Sequence, residues 1–327
     1  MKENKGGMTM KGLVLSFGLA VLACLTMSGM AQEDTASEAP ETLYSFQIVN
    51  FPGDTFTQLL GINNAETIAG YHGDGLTAAT PNKGFTLTLP HTFTPENFPG
   101  SQQTQVIGIN NTATGPRTVG FYITGGVTHG FSKAHGTFST VDFPGTTFNQ
   151  LLGVNDLDQA AGYWADSMGN FHGFIDNGGS VGATLSPRVF LVLNIPLNAS
   201  TMASAQATGI NNKGWLTGFY IDTKGVTHGF VLIGGTFTTI NYPGATSTAV
   251  NGSNNVGQLV GTYTDPAMKV HGFVYKGGTF QTVDSPEGHG ATILNGINDH
   301  GVIVGFFGAC TTTPATATTC EGLVATP

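Results

Sequence analysis

One sequence motif recurs six times along this chain, at intervals of 43 to 56 residues. It begins near Asn-Phe-Pro-Gly, continues through Gly-Ile-Asn and ends at His-Gly-Phe. The glycines that open the Gly-Ile-Asn elements are Gly61, Gly108, Gly153, Gly209, Gly252 (in a degenerate copy) and Gly296. A period of about 40–50 residues is typical of β-propeller blades. The repeat therefore predicts a propeller of six similar units.

Each repeat divides into four short strand segments separated by turn residues. In the fourth repeat these segments are residues 207–211, 215–221, 226–232 and 236–241. They are rich in β-branched and aromatic residues and are bounded by Gly, Asn and Pro, which is the signal of short strands. Apolar residues point to both faces of the second segment, as expected for a sheet covered on both faces by neighbouring sheets. The predicted fold is an all-β, six-bladed β-propeller of four-stranded antiparallel blades.

The two ends of the repeat array complement each other. The array opens at residues 46–53 with the fourth-strand motif of a unit that lacks its first three strands. It ends after residues 321–323, in a unit that lacks its fourth strand. Pairing the two ends would close the ring and remove an exposed sheet edge. We therefore expect residues 44–50 to complete the last blade, with the Gly-Ile-Asn strands innermost, where glycine permits close approach.

The N-terminal residues predict export. Three lysines among the first eleven residues precede an apolar stretch at residues 13–23, and small residues up to Ala31 offer a cleavage site before Gln32. The apolar stretch is too short for a good membrane span. We therefore assign residues 1–31 to a signal peptide.

The remaining N-terminal residues form a linker in this interpretation. Residues 32–42 are acidic and lack a hydrophobic period, which indicates a flexible tether, and residues 43–327 form the propeller. The expected location is secreted, extracellular or in the cell envelope. The alternative is a lipoprotein anchored at Cys24, because Val-Leu-Ala-Cys resembles a lipidation motif.

The charge of the exported chain limits its partners. Removing the signal peptide leaves 8 basic and 19 acidic residues, a net charge of −11. Nucleic-acid binding needs a basic stripe, and binding to anionic membranes needs basic clusters, so both partners are disfavoured. We predict a monomer whose partner is an extracellular carbohydrate or protein.

Two cysteines remain after export, Cys310 and Cys320. They flank a Thr/Ala/Pro run with no hydrophobic period. In an oxidising compartment such a pair forms a disulfide, and closing so short a loop would stabilise the fold by roughly 2–3 kcal/mol. Other metal ligands at suitable spacing are missing from the sequence.

Histidine recurs at one repeat position. The four residues are His129, His172, His228 and His271. Each belongs to a different blade, on the third strand and away from the axis, so they cannot converge on one metal ion. We predict structural roles, with each imidazole hydrogen-bonded inside its blade to the turn after the second strand. No metal or cofactor is predicted.

The combined motif resembles the HAF repeat of secreted bacterial proteins. The pattern is Gly-Ile-Asn-Asn, then Gly-x-Ile-Val-Gly-x-Tyr, then a triplet that reads His-Gly-Phe here instead of His-Ala-Phe. The first triplet departs with Lys83 and the last with Glu321 and Leu323. The resemblance covers nearly all of residues 43–324. It implies an extracellular repeat protein and no particular chemistry.

A second set of repeated residues is the candidate ligand-binding site. Aromatic side chains follow the second-strand glycine by two positions, at Tyr122, Trp164, Tyr220, Tyr263 and Phe307, with His72 in the first unit. They end the strand beside the turn into the third strand, on the rim that also carries the crossovers between blades. A ring of aromatic residues suits stacking on sugars or on an extended peptide. The alternative is packing between blades.

Catalytic motifs are missing from the sequence. There is no Gly-x-Ser-x-Gly elbow and no His-Glu-x-x-His. Acidic residues in the second turns, such as Asp166, Asp222 and Asp265, could act together only if two turns approached closely. We therefore predict a non-catalytic binding propeller with no catalytic residues. The alternatives are a propeller-type polysaccharide hydrolase or lyase, and a structural envelope or matrix protein.

Overall fold

A computed structural model describes residues 43–77, 79–112, 115–178, 189–193, 202–288, 291–308, 310 and 319–327. The predicted signal peptide and tether lie outside the described residues. So does most of the segment at residues 178–188, which the sequence places between a third and a fourth strand.

Every regular element in the described part of the chain is a strand, and the strands form six four-stranded antiparallel sheets. Strand β1 (Ser45–Ile48) precedes the first complete blade. Blade 1 contains β2 (Thr57–Ile62), β3 (Thr67–His72), β4 (Lys83–Thr88) and β5 (Thr92–Pro95); blade 2 contains β6 (Gln103–Ile109), β7 (Thr118–Thr124), β8 (Val127–Ala134) and β9 (Thr137–Thr140); blade 3 contains β10 (Asn149–Val154), β11 (Ala160–Ala165), β12 (Phe171–Asp176) and β13 (Phe190–Val192).

The second half of the ring repeats this arrangement. Blade 4 contains β14 (Met202–Ile210), β15 (Leu216–Asp222), β16 (Thr227–Ile233) and β17 (Thr236–Ile240); blade 5 contains β18 (Ser247–Ser253), β19 (Gln258–Thr264), β20 (Val270–Lys276) and β21 (Thr279–Thr282); blade 6 contains β22 (Thr292–Ile297), β23 (Ile303–Gly308) and β24 (Cys320–Thr326). The six-bladed β-propeller predicted from the repeat is confirmed.

The ring closes as the two ends of the repeat array predict. Strand β1 pairs antiparallel with β24, in a register that sets Ser45 opposite Thr326 and Ile48 opposite Leu323. Phe46 and Ile48 pack against a buried cluster of blades 5 and 6. The N-terminal strand is thus the outermost strand of the last blade.

The Gly-Ile-Asn strands surround the axis. A Cβ atom on Gly61 would lie 2.6 Å from the carbonyl oxygen of Ile107, and one on Gly153 would lie 2.8 Å from the Cα of Gly209. Neighbouring first strands therefore approach too closely for any side chain at these positions. This contact explains why the repeat requires glycine there.

The phenylalanine of the His-Gly-Phe triplet explains the glycine of the second strand. Phe85, Phe131 and Phe230 are fully buried. A Cβ atom on Gly70 would lie 2.8 Å from the ring of Phe85, and one on Gly218 would lie 2.6 Å from the ring of Phe230. Each ring occupies the space that a second-strand side chain would otherwise fill.

Candidate binding surfaces

The propeller has two rims that differ in the connections they carry. We name the rim with the second-to-third-strand turns and the crossovers between blades the upper rim. The lower rim carries the first-to-second-strand and third-to-fourth-strand turns. The predicted aromatic ring lies at the upper rim, because each of its members is among the last three residues of a second strand.

Aromatic side chains of the upper rim form three-layer stacks. In blade 5 the ring of Tyr263 lies 3.6 Å from that of Tyr242 in the crossover, with 7° between their planes. Its other face lies 4.9 Å from the imidazole of His271. The same stack recurs in blade 2 as Phe98, Tyr122 and His129, and in blade 3 as Phe143, Trp164 and His172.

The remaining members of the predicted ring are also covered by residues of the chain. Tyr220 stacks on His228 at 5.0 Å, and His72 stacks on Phe51 at 3.6 Å. Phe307 is buried in the cluster between blades 5 and 6. The structure places these residues one in each blade and covers their ring faces instead of gathering them on a shared open surface. Ligand binding by these side chains stays a prediction.

The repeated histidines connect two loops of each blade. In blade 5, His271 Nδ1 lies 2.6 Å from a carboxylate oxygen of Asp284 in the crossover, and its Nε2 lies 3.4 Å from Asp265 in the second turn. In blade 4, His228 contacts Asn241 and Asp222 at the same positions. His129 keeps only the crossover contact, with Asp142 at 2.6 Å, and His172 contacts Asp166 in the turn at 2.9 Å.

The turn contact expected from the sequence is present for His172, His228 and His271 but not for His129, and the crossover contact was not expected. The crossover partners also accept a hydrogen bond from the backbone N–H of the triplet glycine, as in Gly130 to Asp142 and Gly272 to Asp284. The available signal was the Asp or Asn found two residues before the crossover proline, as in Asp-Phe-Pro at Asp142.

The contacts shift the pKa values of the paired groups. Burial acts to lower the pKa of His271, but hydrogen bonds to Asp284 and Asp265 outweigh it and raise that pKa. The hydrogen bond from His172 is the largest cause that holds the pKa of Asp166 well below its usual range. Burial, joined by the Tyr242 hydroxyl, raises the pKa of Tyr263 to about 12.

These imidazole–carboxylate pairs remain accessible to solvent. The pairs His72–Asp54, His129–Asp142, His172–Asp166, His228–Asp222 and His271–Asp265 belong to blades 1 to 5 in that order. Their side chains are between 18% and 39% exposed. The upper rim thus presents five similar groups of carboxylate oxygens and imidazole nitrogens, each beside a stacked ring.

Two closed rings of Asn and Asp side chains encircle the axis at the lower rim. In the first, each Asn Nδ2 donates to the backbone carbonyl of its counterpart in the next blade, at 2.9–3.2 Å; its members are Asn63, Asn110, Asn155, Asn211, Asn254 and Asn298. In the second, each side-chain oxygen accepts from the backbone N–H of the previous blade, at 2.5–2.9 Å; its members are Asn64, Asn111, Asp156, Asn212, Asn255 and Asp299. The sequence predicts neither ring, and in the fourth repeat it places Asn211 at the end of a strand.

A channel follows the axis between the six innermost strands. Its empty volume is about 640 Å³, a figure that includes adjoining open solvent. Three residues of each innermost strand line it, with the repeat glycine in the middle. The first of the three is a β-bulge residue in all six blades, because the register of every first strand against its second shifts at that position.

At the upper rim, blade 1 contacts both of its neighbours. Cys310 and Cys320 form the predicted disulfide, and both are buried. Cys320 N donates to the carbonyl of Thr55 at 3.0 Å, which holds the start of β24 against blade 1. In the loop after β3, the buried Asn82 donates to the carbonyl of Gly73 and accepts from Gln105 of blade 2.

The described residues contain no group of three or more His, Cys, Asp or Glu side chains that could hold a metal ion. They also contain no helix long and apolar enough to cross a membrane.

No protein-family model matches the chain, and no curated protein matches it. Among solved structures it is similar to the lectin of Aleuria aurantia, described as a six-bladed β-propeller with a novel fucose recognition mode (11% identity, TM-score 0.43, 76% of this chain and 86% of that one). It is also similar to YCF48 bound to a D1 peptide, with 10% identity and a TM-score of 0.39 over 88% of this chain and 98% of that one. A third similar structure is the BP39L lectin of Burkholderia pseudomallei, with 9% identity and a TM-score of 0.38 over 69% of each chain. Likeness at this level leaves the ligand of this chain open, and the six-bladed architecture rests on its own sheet order.

Proposed function

We propose that the protein is an exported, non-catalytic member of the HAF-repeat family that binds a neutral extracellular carbohydrate at several sites of its upper rim. The observation that carries this proposal is the set of five partly exposed imidazole–carboxylate pairs, one in each of blades 1 to 5. Sugar hydroxyls donate to carboxylate oxygens and accept from imidazole N–H groups. The ring edges beside each pair offer apolar contact for sugar C–H groups.

The arrangement favours a polymer over a single sugar. Each pair is shallow and already makes hydrogen bonds within the chain, so a single site would bind weakly. Once one of the five sites has bound a polymer, binding of the same polymer at the other sites is intramolecular, which raises the overall affinity. The acidic chain, with a net charge of −9 before export, disfavours an anionic polysaccharide.

Binding should be measured with the mature protein on an array of neutral glycans and on insoluble neutral polysaccharides. The test variant is Asp222→Asn/Asp265→Asn. It replaces one carboxylate oxygen in each pair but keeps the oxygen that caps the turn, which accepts from Val226 N in blade 4 and from Lys269 N in blade 5. We expect apparent affinity for the polymer to fall by about tenfold or more, since two of five sites are altered.

The matched control is Glu66→Gln/Asp158→Asn, which makes the same charge change at the lower rim. It should bind as the unmodified protein does. Absence of binding to every neutral glycan, or an equal loss of affinity in both double variants, would contradict the proposal. Release of soluble sugars from a bound polymer would overturn its non-catalytic part.

A further inference from the structure

The β-bulges of the innermost strands direct one side chain from each blade toward the axial channel. A bulge re-aims the side chain of its extra residue, and all six bulge residues line the channel. The repeat therefore builds a ring of six lumen residues immediately above the glycines.

This ring is divided into two arcs of different chemistry. The first three blades contribute the aliphatic residues Leu60, Ile107 and Leu152, which belong to one buried cluster. The last three contribute Thr208, Asn251 and Asn295. Below the glycines the lining is aliphatic in five blades, and blade 5 departs with Ser253. The polar arc is thus continuous around blades 4 to 6 and deepest in blade 5.

The residues of this arc act as hydrogen-bond donors to backbone carbonyls of the neighbouring blades. Asn251 Nδ2 donates to the carbonyl of Leu294 at 2.8 Å, and Asn295 Nδ2 lies 3.5 Å from that of Leu59. Across the described residues, neither Asn Oδ1 accepts a hydrogen bond. The buried hydroxyl of Ser253 has no partner there either. The two amide oxygens are therefore free to accept hydrogen bonds from a molecule in the lumen.

We propose that the axial channel is a second binding site, independent of the upper rim, for a small neutral polyol. The two amide oxygens accept from the hydroxyl groups of the polyol. The facing aliphatic arc packs against the carbon atoms of the same molecule. The lining residues carry no formal charge, and an ion without a counter-charge would be disfavoured in this lumen.

The experiment is a titration of the mature protein, carrying ¹³C-labelled Ile and Leu methyl groups, with 1,2-propanediol. Saturable chemical-shift changes are expected at Leu60, Ile107 and Leu152, with none at Ile48 on the outer strand. Butylammonium and butyrate, which carry one charge each, should leave the lumen methyls unmoved. Unmoved methyls with propanediol, or equal shifts with either ion, would overturn the proposal.

A variant separates binding from simple access to the channel. Asn251→Leu/Asn295→Leu places in blades 5 and 6 the residue that blades 1 and 3 carry at the same repeat position. We expect it to keep the methyl spectrum of a folded propeller and to bind propanediol about tenfold more weakly or not at all. The rim variant Asp222→Asn/Asp265→Asn should bind propanediol normally. Unchanged binding by the Leu variant would contradict a role for the polar arc.

Discussion

At the level of single residues, the His-Gly-Phe triplet combines three separate constraints. Its phenylalanine fills the space beside the second-strand glycine, and its own glycine avoids the next blade. Its histidine connects the second turn to the crossover, as His271 does between Asp265 and Asp284. Because the three residues contact different neighbours, each can change alone. The first repeat replaces only the histidine, with Lys83.

The His271 contacts predict a pH-dependent contribution to stability. Its pKa is raised in the folded state above the ordinary value of 6.5, despite the opposing effect of burial, by Asp284 and Asp265. The stabilisation is therefore complete below pH 6.5 and is lost as pH rises through the folded pKa. In urea unfolding, His271→Gln should differ more from the unmodified protein at about pH 5.5 than at about pH 9.

The exposed His91 provides the control for this measurement, since His91→Gln should change stability little at either pH. A stability difference for His271→Gln that stays constant or grows toward alkaline pH would show that protonation of this imidazole does not stabilise the fold.

At the level of strands and blades, one interface departs from its repeat. At the end of β5, Glu96 takes the position that Val141 and Val283 hold in blades 2 and 5. It is 3% exposed, lies 2.9 Å from Lys133 Nζ and accepts a hydrogen bond from Thr118. The interface between blades 1 and 2 thus contains an ion pair with a buried carboxylate where blades 2 and 5 have a valine.

Removing one partner of this ion pair should destabilise the fold, whereas replacing the whole polar group should not. Lys133→Leu would leave the Glu96 carboxylate buried without its counter-charge and should destabilise the fold by about 2–4 kcal/mol. This is less than for a fully buried ion pair, because Lys133 is partly exposed. The triple change Glu96→Val/Thr118→Val/Lys133→Leu should recover most of that loss, since the interface then resembles its neighbours. Denaturant midpoints measure both, and a triple variant weaker than Lys133→Leu would contradict the argument.

The sequence predicted the blades better than the contacts between them. Strand order and the innermost strand follow from the period, the glycines and the two ends of the repeat array, and the disulfide follows from the two cysteines of the exported chain. The two Asn/Asp rings do not, because residues such as Asn63 and Asn110 look like ordinary turn residues until the turns of adjacent blades are brought together. The stacking of Tyr242 on Tyr263 is also not predicted, because the two residues are separated in sequence by a whole strand and come together only in the folded blade.

At the level of the whole molecule, blades 6 and 1 are joined by contacts at three distances from the axis. Near the axis, Asn298 Nδ2 donates to the carbonyl of Asn63, and Asp299 N donates to Asn64 Oδ1. Farther out, the start of β24 contacts Thr55 through Cys320. At the perimeter, β1 pairs with β24. The inner contacts repeat those of every other interface, so only the perimeter strand depends on joining the two ends of the chain.

The register of β1 against β24 predicts that this strand can be moved to the other end of the chain. Ser45 faces Thr326 in an antiparallel pair, so a two-residue Asn-Gly turn could join Pro327 to Tyr44 as in a β-hairpin. A permuted protein that begins at Phe51 and ends with that turn and residues 44–50 should unfold at nearly the same urea concentration as the mature protein. Deletion of residues 43–50 should lower the midpoint and favour dimers through the exposed edge of β24. Urea unfolding and light scattering distinguish these outcomes, and a permuted protein no more stable than the deletion would mean that the connection through Asn50, and not the strand pairing, holds the ring closed.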